Sequence, residues 1–290
     1  MDVFLQLTVS GLSTGMVYAL AAAGFVVIYK ASDVINFAQG DLLLLGTYLV
    51  FFAIAQTGLP LSVGILVTVL LAVAVALAIE RLVLRPLIGE PIISMIMVTI
   101  GLSSVLRAAV NAIWGPAPRS FESFLPTGDV ALGPVTLSTG RLLSIPIALA
   151  VLAALWLFFR HTRDGIAMRA IADDQQAALS MGISIPRVFG IAWGLAAASA
   201  AIGGIMLAGI VGVSPNVAAI GLRVFPVVIL GGLDSIRGAV IGGAIIGLLE
   251  VYTGGYVGRG LSLVVPYVVL VLVLMVRPYG LFGKEIIERV

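Results

Sequence analysis

The sequence predicts an all-α polytopic membrane protein that forms a single transmembrane domain over residues 1–290. Apolar residues make up 61% of the chain and charged residues only 10%, and the mean hydropathy is +1.19. A soluble fold could not bury so much apolar surface. Apolar runs recur along the chain, and about 20 such residues are needed for a helix to cross a bilayer. These features predict about eight to ten transmembrane or re-entrant helices.

The candidate helices, about nine by this length criterion, follow one another along the whole chain. They are residues 3–29, 42–55, 61–79, 92–114, 142–159, 188–213, 217–233, 239–252 and 261–276. The segments at 42–55 and 239–252 are too short to cross a bilayer straight. We therefore expect half-helices or re-entrant pieces there.

Glycine is abundant, at 34 residues, and several pairs are spaced four apart on one helix face. These pairs are Gly11 with Gly15, Gly238 with Gly242, and Gly243 with Gly247. Such spacing lets helix backbones approach closely within a bilayer. We expect helix–helix contacts at these positions rather than contact with a solute.

The loops predict the orientation in the membrane. The most basic one, at about residues 160–187, contains several arginines and His161, and the positive-inside rule places it in the cytoplasm. Alternation then places the N-terminus outside and the C-terminus inside. The loop at about 115–141 falls outside, where its prolines exclude a long helix and a short extracytoplasmic cap is expected.

Composition excludes several classes of function. The net charge is only +2 and the basic residues are scattered, which argues against a nucleic-acid partner. Cysteine is absent and His161 is the only histidine, so no catalytic or metal-binding residues are predicted. No glycine-rich phosphate loop ends in Gly-Lys-Ser/Thr, so no cofactor-binding residues are predicted and any ATP must be hydrolysed by another subunit. The N-terminus lacks the basic region of a cleaved signal, so the first helix is expected to stay in the mature protein.

The cytoplasmic loop is predicted to form short helical pieces that end at Gly182. Its first part is rich in helix-forming residues, Gly182 occupies the position of a left-handed C-terminal cap, and Pro186 prevents continuation. Periodicity alone leaves open an amphipathic helix that lies on the membrane surface.

This loop also carries a family resemblance. Gln176-Ala177-Ala178, followed after three residues by Gly182, resembles the Glu-Ala-Ala…Gly coupling loop of permease subunits of ATP-binding-cassette (ABC) importers, with Gln176 in place of the acid. The resemblance implies that the loop, including Asp173, docks on an ATPase subunit. Ala177 and Ala178 would supply the close-packing face and Gly182 the turn.

Three further stretches resemble the LivH-type permease family of branched-chain amino acid ABC importers. They are Gly-Leu-Ser-Thr-Gly-Met-Val-Tyr-Ala-Leu at 11–20, Val-Ile-Asn-Phe-Ala-Gln-Gly-Asp at 34–41, and Arg-Pro-Tyr-Gly-Leu-Phe-Gly at 277–283. The match spans essentially the whole chain. It implies the ABC importer permease fold, a multi-pass position in the bacterial inner (cytoplasmic) membrane, and transport of branched-chain amino acids. Urea, short amides or carboxylic acids are the alternative substrates within this family.

The resemblance also implies partners. They are a second, LivM-like permease, two ABC ATPase subunits that bind ATP and Mg, an extracytoplasmic solute-binding protein, and the surrounding membrane lipid.

Polar residues near the second signature are candidates for the translocation path. They are Tyr18, Asn36, Gln39 and Asp41. Asp41 stands directly before an apolar run, where it would act as a helix N-cap. Alternatively, the segment 36–40 breaks a membrane helix and turns polar groups toward the path, and both readings can hold.

Two charged residues stand inside or beside apolar segments. Because a charge in the membrane is expensive, each could face a cavity or a partner. The alternative, which we favour for Glu250, is a position in the headgroup region, and Arg223 near the outer surface could snorkel.

Two other classes of function compete with an importer subunit. An ion-coupled secondary transporter usually carries acids or histidines in the middle of its spans, and this chain has almost none there. An intramembrane enzyme needs a nucleophile with a base, or a metal cluster, at membrane depth, and the sequence offers no convincing candidate.

Overall fold

The computed structural model describes residues 2–119, 128–132 and 135–283, and this part of the chain is almost entirely helical, as predicted. The helices are α1 (Asp2–Ser32), α2 (Gln39–Phe51), α3 (Leu61–Ile79), α4 (Ile92–Trp114), α5 (Thr139–His161), α6 (Arg163–Asp173), α7 (Gln175–Ser180), α8 (Ile185–Val211), α9 (Ile220–Gly231), α10 (Ile236–Tyr256), α11 (Arg259–Ser262) and α12 (Val265–Val276). A π-helical turn, Phe52–Gln56, extends α2, and a 3₁₀ turn, Pro215–Ala219, leads into α9.

Within the described residues, seven helices are long and apolar enough to cross a membrane. The bounds of α4 coincide with the predicted ones. The α-helical part of α3 does too, but the span continues to Leu87 through a π-helical turn, Glu80–Leu84, and a 3₁₀ turn, Arg85–Leu87. The prediction of a half-helix was wrong for α10, and α2 is longer than the predicted segment. With its π-helical extension α2 reaches 18 residues, and α10 has 21, because each helix continues through polar and glycine residues at which the apolar run stops. The shorter apolar helices are instead Pro215–Gly231 and Gly260–Val276.

The centre of the protein is built from α1, α2 and α8. Of the most apolar window of α1, 89% is buried inside the protein, against 22% for α3 and for α4. The inner helices carry many Ala and Gly residues, whereas the outer ones present large aliphatic side chains to their surroundings. This distribution is typical of a membrane bundle, in which close packing requires small residues and lipid accepts large ones.

Glycines hold α1 directly against α10, as the four-residue spacing predicted. A Cβ atom on Gly247 would lie 2.4 Å from Gly15 Cα, and one on Gly243 would lie 2.5 Å from Gly15 O. A Cβ atom on Gly11 would lie 2.9 Å from Leu248 Cα. The two helices therefore run antiparallel with their backbones in contact, and no side chain fits between them.

The loop between α4 and α5 carries a short β-hairpin. Strand β1 (Asp129–Leu132) pairs antiparallel with β2 (Val135–Ser138), and Arg119 forms an isolated bridge with Val213. Residues 120–127 and 133–134 of this loop, and the tail 284–290, lie outside the described residues. The loop and the segment 160–187 stand at opposite ends of α5.

Candidate functional site

Helix α2 begins in the interior of the bundle rather than at its surface. A Cβ atom on Gly24 would lie 2.4 Å from Gln39 Nε2, so the start of α2 is level with Gly24. Gly24 precedes the end of α1 at Ser32 by eight residues, which corresponds to about 12 Å along the helix axis. The chain after α1 therefore turns back into the membrane interior without helical structure before α2 begins.

Asn36 and Gln39 hold this broken segment together. Asn36 is fully buried; its Oδ1 accepts a hydrogen bond from Ala38 N at 3.0 Å, and its Nδ2 donates to Gln39 Oε1 at 3.2 Å. Backbone groups freed from a helix at membrane depth need such partners. The sequence reading that segment 36–40 breaks a helix thus describes the local structure.

The N-cap prediction for Asp41 was wrong. The N-cap residue of α2 is Ala38, and Asp41 lies in the first turn. Its carboxylate accepts hydrogen bonds from Arg107 Nε at 3.1 Å, from Arg107 Nη2 at 3.4 Å and from the Ser103 hydroxyl. An acid in the first turn is also stabilised by the helix dipole. Asp41 is therefore the buried half of an ion pair between α2 and α4.

Helix α9 begins next to the first turn of α2 and runs in the opposite direction to α2. A Cβ atom on Gly221 would lie 2.3 Å from Gly40 Cα, and one on Gly40 would lie 2.5 Å from Gly221 Cα. From this contact α2 follows α8 in a parallel direction, whereas α9 runs toward the first turn of α10, where Gly231 packs on Gly238. The positive ends of two helix dipoles therefore meet in the interior of the protein.

A cavity of about 460 Å³ opens beside this junction, and we call it the central cavity. Its lining includes Phe37, Asp41, Ser103, Arg107, Asn216 and Leu222. One acid, one base and two neutral polar groups thus share its wall with apolar side chains. Asp41 is the only one of the four predicted path residues among its lining residues; Asn36 and Gln39 stand behind it.

Tyr18 belongs to a second polar cluster, between α1, α9 and α10. Arg223 Nη1 donates to Glu250 Oε1 at 2.6 Å and to the Tyr18 hydroxyl at 2.9 Å, and that hydroxyl donates to Glu250 Oε2 at 2.9 Å. Arg223 therefore pairs with Glu250 rather than snorkelling alone, and the two side chains are 22% and 12% exposed. Each charge is expensive alone in the membrane, and pairing offsets that cost.

Sequence reasoning missed Arg107 and the partnership of Arg223 with Glu250. One signal was available, since Arg107 is the only charged residue within α4 and stands four residues after Ser103. A lone charge in an apolar segment predicts a buried partner elsewhere. The identity of that partner depends on which helices become neighbours, and periodicity does not contain that information.

The segment from α6 through α7 to Gly182, here called the coupling segment, has well-defined helix ends. The Thr162 hydroxyl caps α6 by accepting from Gly165 N, and the Asp174 carboxylate caps α7 by accepting from Gln176 N and Ala177 N.

Gly182 ends α7 in the left-handed region, with φ of +80°, as predicted from the sequence. Ile183 N donates to Ala178 O at 3.1 Å and Gly182 N donates to Leu179 O at 2.9 Å. These are the two bonds of a Schellman motif.

The sequence resemblance assigned Ala177 and Ala178 to a face that packs on an ATPase, and in this structure the two residues differ in exposure. Ala178 is 3% exposed and is buried within the permease itself, where α7 contacts α6. Ala177, Gln176 and Asp173 are exposed. The large apolar side chains on the free side are Leu179 and Met181, which is 82% exposed.

Among the residues that the structure describes, no three His, Cys, Asp or Glu side chains come together as a possible metal site. The described residues thus place one ion pair and a hydroxyl at the central cavity, a second ion pair between α9 and α10, and an exposed apolar tip at one end. That arrangement suits passage of a small polar solute and contact with a partner protein.

Comparison with known proteins gives consistent results. The family described as "Branched-chain amino acid transport system / permease component" matches residues 7–274. The chain is 32% identical to the high-affinity branched-chain amino acid transport system permease protein LivH of Escherichia coli (strain K12), over 99% of this chain and 98% of that protein. It is 31% identical to the corresponding permease protein BraD of Pseudomonas aeruginosa, with the same coverage.

One solved structure has a similar fold. It is PsaBC from Streptococcus pneumoniae in complex with Fab, with a TM-score of 0.53 and 18% sequence identity over 95% of this chain and 92% of that chain. The family match, the two relatives and the membrane helices together show that the chain belongs to the permease component family of branched-chain amino acid transport systems and is a multi-pass permease of the inner membrane.

Proposed function

We propose that the chain is the permease subunit through which an ATP-driven importer moves branched-chain amino acids, or closely similar small solutes, across the inner membrane. The observation that carries the proposal is the central cavity, in a chain whose relatives bear the names of such permeases. Its wall offers a base and an acid, Arg107 and Asp41, to the two charges of a zwitterion. Phe37, Ile100 and Leu222 offer apolar surface to an aliphatic side chain.

The predicted path residues take different parts in this proposal. Asp41 faces the solute together with Arg107, whereas Asn36 and Gln39 hold the broken backbone that brings Asp41 to the cavity. Tyr18, with Arg223 and Glu250, forms a polar bridge between helices next to the path. Ionisable residues within membrane spans typically mark a transport pathway.

The chain works with partners and carries no catalysis itself. We propose a second, LivM-like permease, two ABC ATPase subunits that bind ATP and Mg, and an extracytoplasmic solute-binding protein. The Arg107 side chain is 50% exposed, and it lies on α4, an apolar outer helix whose most apolar window is only 22% buried within the protein. A half-exposed guanidinium cannot face hydrocarbon, so water or a second permease is expected to cover this face.

The coupling segment is the proposed contact with the ATPase. Leu179 and Met181 form an exposed apolar tip that would enter a cleft on the partner, with Ala177 beside them. Asp173 and Gln176 would form hydrogen bonds at the rim of that cleft. Gly182 supplies the turn that fixes the tip in place.

The transport proposal is tested with the complete importer in proteoliposomes. Uptake of labelled leucine should require both the binding protein and ATP, and unlabelled isoleucine and valine should compete. Urea, acetamide or a simple carboxylic acid competing better than isoleucine would assign one of the alternative substrate classes. Uptake driven by an ion gradient without ATP would refute the importer proposal, and ATP hydrolysis by the chain alone would refute the division of labour.

The coupling proposal is tested by pull-down of the ATPase subunits. Met181→Glu should reduce their retention at least about tenfold, because it buries an unpaired charge at the centre of the contact. Ala117→Glu adds the same charge to an exposed position at the other end of α5 and serves as the control. Full retention and transport with Met181→Glu would exclude the tip from the contact.

A further inference from the structure

A second cavity lies at the end of the bundle that the positive-inside rule places in the cytoplasm. It has a volume of about 320 Å³, and we call it the basic cavity. Four cationic side chains line it, and one acid, Asp234. The cations are Lys30, Arg160, Arg169 and Arg237. They come from four different helices, so the fold itself gathers the positive charge.

Two of these cations share one aromatic ring. The guanidinium carbons of Arg160 and Arg237 lie 5.1 Å and 5.4 Å from the ring centre of Trp156, and Lys30 lies 5.6 Å from that of Phe159. None of the ion pairs within the described part of the chain includes Arg160 or Arg237. The Trp156 ring orients Arg160 and Arg237, and no carboxylate of the described residues neutralises either guanidinium.

An apolar groove of about 220 Å³ continues from the basic cavity. Trp156, Ile236 and Arg237 line both, and the groove extends along α5 and α10 past Leu149, Leu152 and Val240. From Trp156 to Leu149 the groove runs about 10 Å along α5, away from the charged end and toward the middle of the helix. The basic cavity is thus continuous with an apolar groove of the kind that accepts an acyl chain.

The depth of the two features agrees with the layers of a bilayer. Lys30 lies in the last turn of α1, Arg160 in the last turn of α5, and Arg237 in the first turn of α10. Trp156 stands one turn further inside, at the level where tryptophan is enriched at membrane interfaces. The cations are therefore at headgroup level and the groove at acyl-chain level.

We propose that this cavity and groove bind one anionic phospholipid of the cytoplasmic leaflet. The phosphate would lie among Arg160, Arg169 and Arg237, and one acyl chain would follow the groove along α5 and α10. Basic pockets between membrane helices on the cytoplasmic side suit acidic headgroups. Because Arg169 belongs to α6, the bound headgroup would connect the coupling segment to α5 and α10.

The shared chemistry is a phosphate, which a soluble anion also offers; the groove is what favours a lipid. The test uses the assembled importer in mixed micelles with a phosphatidylglycerol that carries a diazirine on one acyl chain. Cross-links are expected in residues 149–156 and 236–240. Unlabelled phosphatidylglycerol should suppress them, whereas phosphatidylcholine should not.

Charge variants provide the second measurement. Arg160→Gln combined with Arg237→Gln should raise the concentration of phosphatidylglycerol needed for suppression about thirtyfold. Arg163→Gln combined with Arg277→Gln removes two positive charges outside the cavity and should leave the concentration unchanged.

Three outcomes would overturn the proposal. Equal suppression by phosphatidylcholine would exclude recognition of charge. Suppression by millimolar inorganic phosphate would assign a soluble anion rather than a lipid. Cross-links that appear in the permease pair but vanish when the ATPase subunits bind would show that a protein partner fills the cavity.

Discussion

Replacing Arg107 by Met should expose how the central cavity is stabilised. The Asp41 side chain is 2% exposed, so the substitution leaves a buried carboxylate without its cation. Removing one partner of a buried ion pair typically costs about 3–5 kcal/mol. The Ser103 hydroxyl still donates to the carboxylate, so we expect the lower end, about 3 kcal/mol, and a Tm lowered by about 6 °C or more.

Arg187→Met is the matched control, because the Arg187–Asp164 pair has side chains that are 68% and 33% exposed. Its loss should cost no more than about 1 kcal/mol. Adding Asp41→Asn to Arg107→Met removes the stranded charge and should restore most of the stability, but transport should stay low because the cavity has lost both charges.

The assays are thermal unfolding of the purified importer at fixed lipid content and leucine uptake in proteoliposomes. If Arg107→Met is as stable as Arg187→Met, then Asp41 is solvated rather than dependent on Arg107. If the double variant transports at the normal rate, the pair has a structural role only.

Three further predictions follow from backbone geometry and topology. Gly221→Leu should prevent the α2–α9 junction from folding and reduce the yield of assembled importer. Gly101→Leu should be tolerated, because a Cβ atom there meets nothing within 4 Å. Size-exclusion chromatography of both variants measures the yield of assembled importer. Gly182→Val should destabilise the end of α7 by about 1–2 kcal/mol, whereas Gly182→Asn should destabilise it less, because Asn tolerates positive φ. Hydrogen exchange at Ile183 N, which bonds to Ala178 O, measures the difference. Equal protection of this amide in both variants would contradict the prediction. Cysteines at Ala117 and Ser180 in this cysteine-free chain should react with impermeant reagents from opposite sides of the membrane, and same-sided reaction would refute the topology.

Much of the helical framework could be predicted from the sequence because lipid imposes a simple rule. Where an apolar run is bounded by proline and glycine, as at Ile92–Trp114 between Pro91 and Gly115, the helix begins and ends with the run. Where glycine and polar residues continue a helix inside the protein, the rule fails. Gln39, Gly40 and Asp41 are buried parts of α2, since protein neighbours rather than lipid satisfy them.

The candidate site could be predicted only in part. Asn36 and Gln39 were recognisable as a break in an apolar region, and Gly182 as a helix terminator, because both are local properties. The partner of Asp41 is 66 residues away, and Glu250 and Arg223 meet across two different helices. The buried position of Ala178 likewise depends on how α7 packs against α6, and a short motif does not encode that.

The contact between Gly40 and Gly221 has a consequence for how this family can diverge. A methyl group on either residue would occupy the space of the other's Cα atom, so neither position can accept a side chain, whether alone or together. Relatives that have drifted to about one-third identity should therefore keep glycine at both positions. Two positions that are always glycine give no correlated substitutions. Methods that infer contacts from correlated substitution should for that reason fail to detect the junction at which α2 and α9 meet.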